Sequence, residues 1–158
     1  MKTQWSKVGE VLSGTLEGKE VHLRGWVHRW REGGKIIFMV LRDSSGILQC
    51  AIKKGNLPDD QFDDAKRANL IESSVEVHGI AKKDPRAPGG WELQANGFKA
   101  IHVGDVFPIT ENQSTELLLD YRHLWLRSQQ LTKVMKVKHH LLNGFRGYLD
   151  GEGFWETT

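Results

Sequence analysis

At 158 residues, 39% hydrophobic and 27% charged, the chain has the size and composition of one medium globular domain, or of a smaller domain with an appendage. A single cysteine, Cys50, excludes an intramolecular disulfide and a cysteine-held metal, and a formal net charge of +2 excludes a globally basic nucleic-acid binder, so any basic footprint has to be local. Residues 1–7 lack an apolar signal core and no run reaches membrane-spanning length, which points to the cytoplasm and away from membranes.

Residues 21–31 alternate apolar and polar side chains as a half-buried strand does, and Gly33-Gly34 supplies a turn. Residues 35–42 are β-branched and aromatic, Asp43-Ser44-Ser45-Gly46 forms a second turn, and residues 47–53 make a third strand. Cys50, between Leu48 and Ile52, reads as a packing thiol. Pro58 and the aspartates after it open a short polar helix over 59–69, with Phe62, Ala65 and Ala68 on one side. Strands resume over 74–83 and 91–102, separated by the turn-rich stretch 84–90. This order predicts a mainly-β fold, the five-stranded Greek-key barrel called the OB-fold with one inserted helix. Another small barrel with an inserted helix would share that order. Residues 105–115 are polar with Pro108 among them and read as a hinge. From Ser128, an N-cap, the spacing of Leu131, Val134, Met135, Leu141, Leu142, Phe145 and Leu149 predicts a long helix. Gly144 and Gly147 inside it each cost about 1 kcal/mol relative to alanine, which suggests close packing against something, a second chain included. Seven scattered histidines, with only His139 and His140 adjacent, supply no metal cluster.

Strand pairing follows from parity. If a four-residue turn separates Arg31 from Ile36, Arg29 stands opposite Phe38 and Val27 opposite Val40, and opposed residues share a face. An even-length second turn adds Gln49 to that face. One face then gathers Arg29, Arg31, Phe38 and Gln49, while the other gathers Ile37, Met39, Leu41, Leu48, Cys50 and Ile52 as a core. An aromatic ring, two guanidinium groups and an amide suit an unpaired base: stacking, phosphate neutralisation and edge hydrogen bonds. A single β-bulge inverts parity, so Phe38 as a core residue beside a solvated arginine edge stays open. His28 reads as structural, Trp26 and Trp30 as core, and Arg42 with Asp43 as a turn-stabilising ion pair.

The residues also spell a family pattern. Arg24-Gly25-Trp26-Val27-His28-Arg29, Gly34-Lys35, Phe38-Met39-Val40-Leu41-Arg42-Asp43, Gly46 and Leu48-Gln49-Cys50 resemble the anticodon-binding domain of asparaginyl, aspartyl and lysyl-tRNA synthetases. They are most similar to the asparaginyl branch, as is Ala87-Pro88-Gly89-Gly90-Trp91-Glu92-Leu93. Leu119-Asp120-Tyr121-Arg122-His123-Leu124-Trp125-Leu126-Arg127-Ser128 resembles the start of that family's catalytic domain, and Gly153-Phe154-Trp155-Glu156-Thr157-Thr158 the opening of class II motif 1. The resemblance divides the chain into an anticodon-binding OB domain (1–104), a hinge region (105–127) and the truncated start of a catalytic domain (128–158).

What it implies is a tRNA partner whose anticodon begins G-U. Phe38 matches the aromatic that stacks on the central U, and Gln49 the amide that bonds it. Arg31 and Arg29 match basic residues against the anticodon, Glu92 a carboxylate that contacts the first-position G, and Lys83 a phosphate contact. The arginine of motif 2 and the glycine-rich motif 3 that hold ATP in this family are not in the sequence. The chain is therefore expected to have no catalytic residues, no metal and no cofactor of its own. ATP and magnesium belong to the intact enzyme, which charges tRNA with asparagine and pairs as a homodimer through the motif 1 helix. With its own catalytic domain missing, the apolar stripe of that helix is expected to self-associate or to be partly disordered. Two alternatives remain: a segment of an aspartyl-tRNA synthetase with relaxed tRNA specificity, and a stand-alone OB module for single-stranded nucleic acid.

Overall fold

Alternating strands have one side that must leave water, and five of them meet that demand together by closing on themselves. β1 (Glu20–Gly33), β2 (Ile36–Arg42), β3 (Ile47–Lys53), β4 (Ser74–Lys83) and β5 (Trp91–His102) form a closed barrel in the order β1-β2-β3-β5-β4. Every pairing is antiparallel except the one that completes the cylinder, β3 with β5. This is the mainly-β, five-stranded OB-fold barrel expected from the sequence, with its inserted helix α2 (Asp59–Arg67) between β3 and β4. The computed structural model describes residues 4–110 and 112–157, so residues 1–3 of the N-terminal stretch, residue 111 of the polar stretch and Thr158 lie outside the described residues. The chain divides into two compact units, Met1–Phe107 and Pro108–Thr158.

The expected core residues Ile37, Met39, Leu41, Leu48, Cys50 and Ile52 are all buried inside the barrel, joined by Leu23, Val75, Val77 and Leu93. Each leucine-sized side chain so buried contributes about 1.5–3 kcal/mol. Burial pushes the Cys50 thiol far up, with the Glu92 charge adding to it, so Cys50 stays a protonated packing group. A five-residue helix, α1 (Val8–Leu12), packs Val8 and Val11 into the same core; it is too short for periodicity to announce it. α2 inserts Phe62 and Ala65. Its Gln61 and Asp64 side chains accept the Phe98 and Ala100 N–H groups of β5 at 2.9 and 2.6 Å. Those amides lie past the residues of β5 that β3 pairs, so the helix satisfies an edge that β3 does not cover.

Four expectations need correction. The β1–β2 turn is the two-residue Gly34-Lys35, so Arg31 faces Phe38 and Arg29 faces Val40, two places from the expected register. A shift of two keeps parity, and the residues stay on one face. A bulge between Val27 and Arg29 then turns Val27 inward, opposite Leu41, instead of outward opposite Val40. The bulge also leaves Trp26 on the outside, 45% exposed, rather than in the core. Trp30 does pack against the core, its Nε1 donating to the Ala65 carbonyl at 3.2 Å. Arg42 pairs not with Asp43 but with Glu72, through two parallel bonds of 2.7 and 2.8 Å. Asp43 instead accepts from Ser45 N, Ser45 Oγ, Gly46 N and Val8 N, closing its turn and anchoring α1.

In the second unit the expected hinge region carries two short helices that the sequence did not announce, α3 (Thr115–Asp120) and α4 (Arg122–Trp125). α5 (Gln129–Gly151) starts at the expected cap, Ser128 Oγ accepting from Leu131 N at 3.3 Å. None of the described residues of α5 is buried, and Val137, Phe145 and Tyr148 stand well exposed. Among the described residues no helix is long and apolar enough to cross a membrane.

Candidate nucleic-acid interface

Strand register lays two rows of outward side chains across the barrel. One runs Arg29, Val40, Gln49, Glu92, Lys82, each opposite the next on neighbouring strands. The other runs Arg31, Phe38, Ala51, Gln94, Ile80. Val40 and Ala51, both largely buried, form a flat floor between the strands, from which Phe38 and Gln49 rise half-buried. Arg29, Arg31, Lys82 and Gln94 are exposed around them. Five of the six expected site residues, Arg29, Arg31, Phe38, Gln49 and Glu92, therefore share this surface.

Lys83 does not. It stands opposite Trp91, one residue past the row, and strand alternation turns it to the other side. The lysine opposite Glu92 is Lys82, which the sequence reading passed over. Parity counted from Glu92 finds Lys82 only once the β4–β5 register is known.

Glu92 is only 7% exposed, and its Oε2 accepts from Gln49 Nε2 at 2.7 Å. This pair sits where β3 meets β5. Nearby, Arg86 is held to Asp84 by bonds of 3.0 and 2.9 Å and also feels the Glu92 charge.

The Arg31 guanidinium carbon lies 4.8 Å from the Phe38 ring centroid. An exposed cation–π contact contributes only about 0.5–1 kcal/mol. A base stacked on an aromatic contributes about 1–3 kcal/mol, so an incoming base can displace the guanidinium or share the ring with it. His28, at the bulge, has its pKa lowered by burial and by the Arg42 and Arg29 charges, against Glu72. At neutral pH it is uncharged, and the positive charge of this surface comes from the arginines and Lys82.

A second aromatic and basic surface occupies the other half of the barrel. The His22 and His78 rings stack with centroids 4.9 Å apart, and Arg24 lies 5.2 Å over Trp5. Beside them a 620 Å³ depression is lined by Trp5, Arg24, Trp26 and Ile101 among others. The outward set His22, Arg24, Trp26 was readable from β1 alternation, but the core assignment of Trp26 hid it. Among the described residues no three His, Cys, Asp or Glu side chains are grouped as metal ligands would be.

Residues 21–101 match the family model of the OB-fold nucleic acid binding domain for tRNA anticodons. The chain is 43% identical over 150 residues to the asparagine–tRNA ligase of Thermoplasma acidophilum, covering 95% of this chain and 35% of that one. It is 49% identical over 142 residues to the enzyme of Thermococcus gammatolerans, covering 90% and 33%. Among solved structures it superposes on asparaginyl-tRNA synthetase from Pyrococcus horikoshii complexed with asparaginyl-adenylate, with a TM-score of 0.87 and 41% identity over 99% of this chain and 36% of that one. A putative aspartyl-tRNA synthetase from Leishmania major, at 24% identity and TM-score 0.86, shares the fold. The chain thus spans about a third of the length of the ligases it matches.

Proposed function

This chain belongs to the tRNA anticodon family of OB-fold nucleic acid binding domains, and on that premise we propose that it is the anticodon-reading part of an asparaginyl-tRNA synthetase. The relatives at 43% and 49% identity are asparagine–tRNA ligases, which favours asparagine over the aspartyl alternative. The observation that carries the reading is the outward surface of Phe38, Gln49, Arg29 and Arg31, where a ring, an amide and two cations surround a flat apolar floor. A base stacks on Phe38, its edge meets Gln49, and the arginines neutralise the flanking phosphates. The partner is a tRNA whose anticodon begins G-U. In this reading the chain selects the tRNA and does no chemistry itself. ATP and magnesium are bound by the rest of the enzyme, in the cytoplasm, and α5 belongs to the pairing of two enzyme copies.

The test is binding of anticodon stem-loops to the chain at low salt, comparing GUU and GUC loops with GCU. The wild-type chain binds the two U-centred loops more tightly. Phe38→Ala lowers their affinity about tenfold, within the range of one lost stacking contact, and Gln49→Ala abolishes the preference. Equal binding of all three loops, unchanged by either substitution, contradicts the proposal.

A further inference from the structure

We propose that Glu72, clamped to Arg42, is a positioning residue for RNA binding: it fixes the β1 bulge at His28 and so brings Arg29 onto the outward surface. The inference rests on the anticodon reading above. Val27 and Trp30 both turn to the core, with two residues between them. Regular alternation puts one outward residue between two inward ones, so either His28 or Arg29 is extra. β1 by itself does not choose. In one arrangement Arg29 stands opposite Val40, in the row with Gln49. In the other His28 takes that place and the guanidinium is displaced from the row.

The two residues that lead into β4 make the choice. Val27 N–H donates to the Ser73 carbonyl at 2.8 Å, and the Val27 carbonyl accepts from Glu72 N–H at 2.7 Å. With Leu41 opposite it on β2, Val27 is held on both sides, and the extra residue falls immediately after it, at His28. Making these bonds places Glu72 at φ 68°, in the left-handed region that favours glycine. Such backbone persists only where its surroundings over-determine it. Glycine would adopt it without strain; what glycine lacks is the carboxylate. That carboxylate accepts two parallel, charge-assisted bonds from Arg42 at 2.7 and 2.8 Å, with both side chains mostly shielded from water. Arg42 stands opposite Trp26 on β2, so the pair ties the segment before β4 to the strand on the far side of the bulge. His28 is uncharged at neutral pH, so a bulge moved by one residue exchanges a permanent cation for a neutral ring beside Val40.

The GUU stem-loop is titrated over a range of salt into the wild-type chain, Arg29→Ala, Glu72→Gln, Glu72→Gly, and Glu72→Gln combined with Arg29→Ala. Each Glu72 variant is expected to flatten the plot of log affinity against log salt by about 0.7, the loss of one phosphate contact on a single strand. The combined variant is no flatter than Arg29→Ala alone, because both substitutions remove the same cation from the row. Glu72→Gly behaves as Glu72→Gln although its backbone is freed of strain. A second readout needs no variant: in the RNA-free wild-type chain the Val27 and Glu72 amide hydrogens exchange as slowly as those of the barrel strands. A wild-type slope in either Glu72 variant, or further flattening in the combined one, overturns the inference, as does loop-like exchange of those two amides. An Arg29→Ala slope equal to that of wild type overturns the placing of RNA on this surface, and this inference with it.

Discussion

The two halves of the barrel's outer surface are built from similar residues and differ in what those residues face. Around His22 and His78, Arg24 stands opposite Glu76, which stands opposite Lys99, and the Arg24 guanidinium covers Trp5. Charges there alternate in sign across the strands, and the two imidazoles stack on one another. Around Phe38 the arginines stand opposite Val40 and Phe38, with no acid directly across from them. Aromatic and basic composition is thus a poor guide to a nucleic-acid surface. The partner each cation meets across the sheet decides whether its charge is already compensated.

Two glycines separate the halves most sharply. A Cβ on Gly79 would overlap the Gln94 carbonyl oxygen and crowd Ala95 Cα, both backbone atoms that cannot step aside. Gly79→Ala should destabilise the whole barrel by about 3 kcal/mol, seen as a lower urea midpoint, and both surfaces lose their geometry together. The three atoms nearest a Cβ on Gly97 all belong to the His78 imidazole, a side chain that can turn away. Gly97→Ala is expected to unstack that ring at a cost of about 1 kcal/mol and to leave stem-loop binding unchanged. If Gly97→Ala weakens RNA binding as much as Gly79→Ala weakens folding, the two surfaces are not independent.

The salt dependence of binding sharpens the contrast at a smaller scale. Removing a cation that neutralises one phosphate of a single strand flattens the plot of log affinity against log salt by about 0.7. Arg29→Ala and Arg31→Ala should each show this change, and Arg24→Ala should leave the slope alone. A flattened slope for Arg24→Ala would move the phosphate path to the other half of the barrel.

The smallest expected effect concerns the support beneath both surfaces. Burial raises the Asp43 pKa, but hydrogen bonds from Ser45, Val8 and Gly46 outweigh it, and the folded value lies below the ordinary 3.8. A group depressed on folding contributes stability that is present above its unfolded pKa and is lost as pH falls through the folded one. Between neutrality and pH 4 the α1 anchor should therefore hold, loosening only in stronger acid. In Asp43→Asn this acid-side loss disappears, because the amide does not titrate and the contribution is already missing at neutral pH. An unchanged acid limb in the variant would assign it to other carboxylates.

All five strands were legible, β3, β4 and β5 to the residue and β1 and β2 to within two residues at each end, because alternation is a local property, and α5 because Ser128 caps a long apolar period. What failed was non-local. Nothing in the sequence around His28 marks the bulge that turns Val27 inward and Trp26 outward. Glu72 lies thirty residues beyond Arg42, so the local Arg42–Asp43 pair looked the better match. Glu92 meets Gln49 only because β3 and β5 close the cylinder in parallel, a register that no short pattern encodes. The site residues on one strand pair could be grouped by parity, whereas the carboxylate that bonds the Gln49 amide, and the placing of Lys82 rather than Lys83 opposite it, needed the folded register.

The most direct test of the account is to locate the RNA on the barrel. A GUU stem-loop titrated into isotope-labelled protein, followed by backbone amide shifts, reads out which surface it touches. The account predicts shifts concentrated at Arg29, Arg31, Phe38, Gln49, Ala51 and Lys82, with His22, His78 and Lys99 unmoved. Shifts centred on His22, His78 and Trp5 instead, with the Phe38 surface silent, would contradict it.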